Sequence, residues 1–423
     1  MRYLVTCLLF LSGFSLFSQN YSERKINRIL SKIEALNKAH VAISIRSLVS
    51  SKPIVSYQAD QYMTPASNTK LLTFLASVES FDSLPALYYH DKDSVTHFKS
   101  TGYPLLLHPF YPDEELYSFL KGKNYLVYHK PKSNLKPQGS GWSWDDYSYY
   151  FASEISPFPI HGNVIQGYGE PNDPSFFPGG FETLPSSDSS AVNLKRKRFK
   201  NRYYYNSEKW NLKDTLYQPF ITSDDLFIRL LRDELNLPIS LSSQSKRKEW
   251  EQLYTQQDGK LYKALLQDSD NGIAESLLVM ISQKRFGEMN IERTIDTLKL
   301  QWRNWLPDQL EWVDGSGVSR YNMITPRTVV AVLKKIYKKV GFQNIKNYFP
   351  KCALSGTLKE YDLKNIYAKT GTLRHNHNLS GYLVSSEENI YVFSVMVNHH
   401  TSSKSEVRNA ISQLLHKFQK RLK

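Results

Sequence analysis

Cysteine is nearly absent: the 423 residues include two, Cys7 and Cys352. Cys7 lies in the opening apolar stretch, so a chain cleaved beyond it keeps Cys352 alone and forms no intramolecular disulfide. A chain of this length needs none if its core is large. A lone cysteine is more often a buried structural residue than a nucleophile, and Cys352 is read as structural. Long interior apolar runs are also missing, which leaves no candidate transmembrane helix beyond the first residues. No repeat of fixed period appears, which excludes solenoids and propellers. Acidic residues are the scarcer charge: 40 Asp and Glu face 54 Lys and Arg, a net charge of +14. What is present is ordinary for a folded protein. Apolar residues make up 41% and aromatics 13%, with 28 Tyr, which excludes general disorder. The length accommodates two or three domains.

The chain opens with Met1-Arg2, an apolar stretch from Tyr3 to Phe17 and the polar Ser18-Gln19-Asn20. Basic head, short apolar body and small polar exit are the order of a secretory signal peptide, expected over residues 1–18. A lipoprotein reading of Cys7 fails because the apolar stretch before it is too short. Export, with a periplasmic destination, changes the meaning of the positive charge. Nucleic acid ceases to be the natural partner, and anionic envelope polymers or a peripheral contact with lipid head groups replace it. The densest basic run is Lys195-Arg196-Lys197-Arg198-Phe199-Lys200-Asn201-Arg202. A solvated loop or strand edge is its plain reading.

Helical spacing of Ile26, Ile29, Leu30, Ile33 and Leu36 predicts a helix over residues 22–39. Alternation over 41–49 predicts a strand, with Pro53 to Tyr57 as its hairpin partner. Pro65 and Ser67 sit at a helix start followed by apolar residues. Residues 86–218 are rich in Tyr, Trp, Pro and Gly and read as an inserted β-rich unit between two parts of one domain, 19–85 and 219–423. Beyond it, Ser223-Asp224-Asp225 caps a helix containing Leu226, Leu230 and Leu231. Further helices are expected from Asn271, from Pro326 to about Lys339, and over 405–420, with strands at 379–384 and 390–397. The last helix has Val407, Ile411, Leu414, Leu415, Phe418 and Leu422 on one face. Docking on the sheet is favoured over lying on a membrane.

Three short motifs carry chemistry. Ser67-Asn68-Thr69-Lys70 puts a hydroxyl and an amine on one helix face, where the amine can serve as base for the serine. The spacing alone is weak, since Ser22, Ser118, Ser133, Ser243 and Ser245 also have Lys three residues on. The copy at Ser67 differs by standing at a helix start before an apolar run. Ser269-Asp270-Asn271 precedes a helix; a cap is the bland reading, a second hydroxyl and a substrate-orienting amide the functional one. Lys369-Thr370-Gly371-Thr372 precedes a strand pair, where the plain reading is a turn. Functionally, Lys369 supplies a fixed cation and Gly371 permits close backbone approach.

In this order the three motifs make the sequence resemble the penicillin-recognising serine enzymes. It is most similar to the D-alanyl-D-alanine carboxypeptidase/endopeptidase group, peptidase family S13 or penicillin-binding protein 4 type. Thr64-Pro65-Ala66-Ser67-Asn68-Thr69-Lys70 resembles that family's nucleophile segment. Gly141-Trp142-Ser143-Trp144-Asp145-Asp146, Pro219-Phe220-Ile221-Thr222-Ser223 and Asp314-Gly315-Ser316-Gly317-Val318-Ser319-Arg320 also match its habit. The resemblance spans nearly the whole mature chain. It departs at Thr101-Gly102-Tyr103-Pro104, at a shortened Leu354-Ser355-Gly356-Thr357-Leu358 and in a trimmed insert.

The resemblance implies an α/β (α+β) fold of the serine β-lactamase/transpeptidase type and acyl transfer on peptidoglycan stem peptides, with β-lactam antibiotics as covalent inhibitors. It implies Ser67 as nucleophile, Lys70 as base and Ser269 as proton relay. Asn271, Lys369, Thr370, Gly371 and Thr372 would bind substrate, with the Ser67 and Thr372 amides as oxyanion hole. No metal or organic cofactor is called for. A serine β-lactamase or esterase on the same fold, and a non-catalytic peptidoglycan-binding protein, are the alternatives. Three further clusters admit other chemistry. His375, His377, His399 and His400 suggest zinc only if they converge with a carboxylate or thiolate. Asp145-Asp146 suggests paired glycosidase carboxylates, but neighbours in a strand face opposite ways. Trp142, Trp144, Tyr147, Tyr149 and Tyr150 fit a sugar-stacking platform or the packing of the insert.

Overall fold

The structure is a computed structural model that describes residues 21–49, 52–170, 173–186, 193–210, 215–242 and 249–422. The expected signal segment 1–18 and the motif copies at Ser243 and Ser245 lie outside these residues. Among the described residues, no helix is long and apolar enough to cross a membrane.

The hairpin expected at 41–57 is formed by His40–Ser47 and Pro53–Tyr57. It joins three strands from the far end of the chain. The antiparallel sheet runs Ile366–Leu373, Asn376–Val384, Ile390–Asn398, His40–Ser47, Pro53–Tyr57. Alternation sorts its side chains onto two faces. Val41, Ile43, Ile45, Leu379, Phe393, Val395 and Val397 join one core, with Ile26, Leu30, Ile411, Leu414 and Phe418 of the terminal helices. Ala42, Tyr382, Val392 and Met396 turn to the other, with helices Lys70–Ser80, Asn271–Phe286 and Pro326–Tyr348. The sheet is thus layered between helices. Each large apolar side chain removed from water there contributes roughly 1.5–3 kcal/mol.

Helix ends follow the signals in the chain. Ser223 Oγ accepts from the Leu226 amide at 3.1 Å at the start of Asp224–Leu235. Thr325 Oγ1 accepts from Thr328 N at 3.2 Å ahead of Pro326. The expected stop near Lys339 corresponds to Gly341, whose φ of +75° interrupts a helix that resumes to Tyr348. The single helix expected at 22–39 is two pieces, Glu23–Leu30 and Glu34–Asn37, because Ile33 is extended at φ −111°. The last helix, Lys404–Gln419, docks as favoured, with Val407, Ile411, Leu414, Leu415 and Phe418 buried.

The middle of the chain is strand-rich. It supplies two three-stranded sheets and most of a second five-stranded sheet. That sheet crosses the boundary expected at 218: Ile239–Ser242 pairs with Tyr125–His129, and Glu251–Tyr254 with Pro85–Lys92. Pattern could not show this, since parallel partners 113 residues apart (126 and 239) leave no local trace. Asp145 and Asp146, treated as strand neighbours, instead lie in a 3₁₀ turn, Trp144–Ser148.

Candidate active site

Ser67 lies at the seam between sheet and helices. It sits in a 3₁₀ turn, Ala66–Thr69, that runs directly into helix Lys70–Ser80. Ala66 is held at φ +49°, a left-handed conformation costly for a residue with a Cβ. The turn is pressed between two backbones. A Cβ on Gly371 would stand 2.2 Å from Pro65 O, and one on Gly317 2.0 Å from Ala66 O. Only glycine permits this approach, and it brings the edge strand Ile366–Leu373 and the loop 314–320 against the serine.

Lys70 is fully buried. Its Nζ donates to Ser67 Oγ at 3.2 Å, to Asn271 Oδ1 at 2.5 Å and to Ser316 O at 2.7 Å. Burial pulls its pKa from 10.5 down to about 8, against the opposing pull of Asp314, Asp270 and Glu275. Asn271 is held at both ends, since its Nδ2 donates to Phe151 O at 2.7 Å.

The other two motifs converge on the same place. Ser269, at φ +62°, ends the turn before helix Asn271–Phe286. Lys369, also fully buried, donates from Nζ to Ser269 Oγ at 2.8 Å and to Thr370 O at 2.9 Å. Burial lowers its pKa well below 10.5, and Lys70 lowers it further. Thr370 Oγ1 meets Thr357 Oγ1 at 2.9 Å, so the shortened 354–358 segment still reaches the edge strand. Thr372 is exposed, with its hydroxyl 2.8 Å from His377 Nδ1. Thus Ser67, Lys70, Ser269, Asn271, Lys369, Thr370, Gly371 and Thr372 come from three segments to one region.

The bland reading of Ser269-Asp270-Asn271 is also correct for its middle residue. Asp270 Oδ1 caps the helix by accepting from Ile273 N at 2.9 Å, and Oδ2 accepts from Tyr150 OH at 2.5 Å. His377 is used inside the fold: its Nε2 lies 2.6 Å from Tyr361 OH, and burial lowers its pKa to about 4, leaving a neutral ring between two hydroxyls. His375 Nδ1 turns to His400 O. Among the described residues no three His, Cys, Asp or Glu side chains gather as a metal site. Cys352 is buried, and burial pushes its thiol up to about 12. That suits packing, not nucleophilic attack.

Two carboxylates support Lys70: Asp314, named above only as part of a family-like segment, and Glu275, which the sequence did not single out. Glu275 is buried and accepts from Gly315 N at 3.0 Å and Ser316 N at 2.8 Å. Burial and Asp314 raise its pKa to about 7. Asp314 accepts from Gly317 N at 2.9 Å, Ser319 N at 2.6 Å and Trp142 Nε1 at 2.9 Å. Together they shape the loop whose Ser316 carbonyl holds Lys70. The signal for Glu275 was there: a lone acid inside the apolar helical run Ile273-Ala274-Glu275-Ser276-Leu277-Leu278.

A hydroxyl held against a buried amine of lowered proton affinity is the equipment of a serine hydrolase that works through an acyl-enzyme. The family is narrower than that class. Residues 22–85 and 229–418 match the D-Ala-D-Ala carboxypeptidase 3 (S13) family, and the chain belongs to it. It is accordingly a peptidase of the serine D-Ala-D-Ala carboxypeptidase type. D-alanyl-D-alanine carboxypeptidase DacB of Haemophilus influenzae is 22% identical over 445 residues, 89% of each chain. The crystal structure of penicillin binding protein 4 (dacB) from H. influenzae superposes with a TM-score of 0.74 at 19% identity. It covers 94% of this chain and 99% of that one, and a complex of it with a β-lactam gives 0.70. A predatory peptidoglycan endopeptidase of Bdellovibrio bacteriovorus superposes at 0.52 with 13% identity, over 91% and 93% of the chains. These likenesses establish the transpeptidase-like α/β fold. The stretch between the two matched segments holds most of the strands outside the sheet that carries Lys369.

Proposed function

We propose that this enzyme removes the terminal D-alanine from peptidoglycan stem peptides, or opens D-amino-acid cross-links, through an ester on Ser67. The observation that carries the reading is the set of three acceptors around Lys70. A neutral amine has two N–H bonds and one lone pair. With Asn271 Oδ1 and Ser316 O taking the hydrogens, the lone pair is left for the Ser67 hydroxyl. Ser67 Oγ then attacks the carbonyl of the penultimate D-alanine while Lys70 takes its proton. The C–N bond breaks, and the leaving amine receives a proton through Ser269. Lys369 Nζ already donates to Ser269 Oγ, which aims the hydroxyl hydrogen away from itself. Water attacks the ester and regenerates the serine.

Lys369 and Thr370 take the substrate carboxylate, Gly371 lets the chain lie close, and Asn271 Nδ2 trades the Phe151 carbonyl for a substrate carbonyl. The amides of Ser67 and Thr372 form the oxyanion hole, a large share of such catalysis. A carboxylate at Lys369 favours the charged form of the amine, which burial disfavours. β-Lactams enter as covalent inhibitors, a reading supported by the β-lactam complex of the H. influenzae relative. The reaction calls for no cofactor. Residues 1–18 direct export to the periplasm. Residues 19–85 and 219–423 form the catalytic unit, and 86–218 form the insert, completed by two strands from 239–254.

The test is D-alanine release from a soluble peptide ending in D-Ala-D-Ala, beside the same peptide ending in D-Ala-L-Ala. Release from the first alone is expected. No release from either, with rapid hydrolysis of penicillin, would assign the site to a β-lactamase instead.

A further inference from the structure

The basic run at 195–202 has no part in the serine chemistry. It forms a hairpin: Leu194–Arg196 pairs with Arg202–Tyr205, with Tyr203 opposite Arg196. The turn presents Lys197, Arg198, Phe199 and Lys200 to solvent, and Phe199 is 79% exposed. Like charges crowded on one tip repel one another, and the exposed Phe199 ring among them leaves apolar surface open to a partner.

The turn is nevertheless firmly built. Arg196 is buried, and its Nη1 donates to Lys197 O at 3.3 Å and Arg198 O at 2.9 Å. Its guanidinium lies 5.2 Å from the Tyr147 ring centre. On the other foot, Asn201 donates to Ile221 O at 2.8 Å and accepts from Ile221 N at 2.7 Å. Burying a guanidinium carries a desolvation cost, and here the charge fixes the carbonyls of an exposed tip.

The tip is continuous with the rim of the serine site. Arg198 stands 4.5 Å from the ring centre of Trp144 and 5.0 Å from that of Phe199. Trp144 is 64% exposed and begins the turn that leads to Phe151, whose carbonyl binds Asn271. Tyr149 and Phe151, both exposed, stack with centroids 5.4 Å apart and planes 7° from parallel. Exposed rings therefore run from the tip toward the site, with cations at the far end.

We propose that the hairpin tip and Trp144 form a docking site for polymeric peptidoglycan, separate from the serine site. Sugar rings pack on Phe199 and Trp144, and stem-peptide carboxylates meet Lys197, Arg198 and Lys200. The inference rests on the proposed reaction, whose polymeric substrate carries both groups. An anionic lipid surface matches the cations and Phe199, but not the ring path that leads on to Asn271.

The test combines Lys197→Ser, Arg198→Ser, Phe199→Ser and Lys200→Ser in the full chain. Labelling by fluorescent penicillin and D-alanine release from a short soluble peptide are expected to stay within about twofold of wild type. Retention on purified insoluble peptidoglycan is expected to weaken at least about tenfold, with turnover of that polymer falling alongside. Wild-type retention should also fall with salt. Unchanged retention by the variant would overturn the proposal. So would wild-type binding to phosphatidylglycerol vesicles that the variant loses while peptidoglycan retention persists; that result assigns the tip to lipid. A wild type that takes no penicillin would instead defeat the reading of the serine site, and retention would still decide the tip.

Discussion

Lys70→Met is expected to slow acylation by penicillin by about 10²–10⁴-fold, the range for losing a general base. Methionine fits the buried position but has no lone pair to receive the Ser67 proton. It also leaves Asn271 Oδ1 and Ser316 O without their donor, at roughly 1–3 kcal/mol per group. Thermal unfolding therefore accompanies the kinetics, to separate a lost base from a lost fold. The pH profile adds a second readout. The Lys70 pKa is lowered to about 8, so the amine is protonated below that pH and neutral above it. Acylation by the wild type should climb as pH rises through about 8, because the neutral form is the base. Lys70→Arg stays protonated throughout and should show the same loss without the climb. A flat wild-type profile from pH 6 to 9 would contradict the role.

Gly371→Ala is expected to damage activity and stability together. The added carbon would sit 2.2 Å from Pro65 O and 2.9 Å from Asn68 N, both backbone atoms that cannot rotate aside. Either the edge strand or the nucleophile turn must move. Overpacking of this kind costs about 1–3 kcal/mol or more. A displacement of about 1 Å in a reacting group is enough for a loss on the order of 10²-fold. The control is Gly179→Ala, where the added carbon meets nothing within 4 Å. Acylation rate and melting temperature are the measurements, and wild-type values for Gly371→Ala would refute the close-packed seam.

Much of the catalytic unit was legible in the chain because its signals are local. The hairpin at 40–57, the cap at Ser223 and Pro326 at a helix start each follow from a few adjacent residues. The three motifs were legible for another reason: their order and local contexts narrowed a spacing that recurs elsewhere in the chain. What escaped depends on contacts far apart in sequence. Glu275 matters because it faces the amides of Gly315 and Ser316, 40 and 41 residues on. The strand Ile239–Ser242 joins the second five-stranded sheet through a parallel partner that no turn connects. In the sequence His377 is one of four histidines that suggest zinc only on convergence, and polar strand ends are their plainer reading. Only the fold shows the His377 ring held between Thr372 and Tyr361. The glycines at 317 and 371 were visible, but the backbone each must clear was not.

Ser67 Oγ is the atom expected to carry the acyl group. Purified protein would be treated with penicillin, digested and mapped by mass spectrometry, with Ser67→Ala alongside. One penicilloyl adduct on the peptide carrying Ser67-Asn68-Thr69-Lys70, and none in the variant, is the expected result. An adduct on Ser269 or elsewhere, or one that persists in Ser67→Ala, would contradict it.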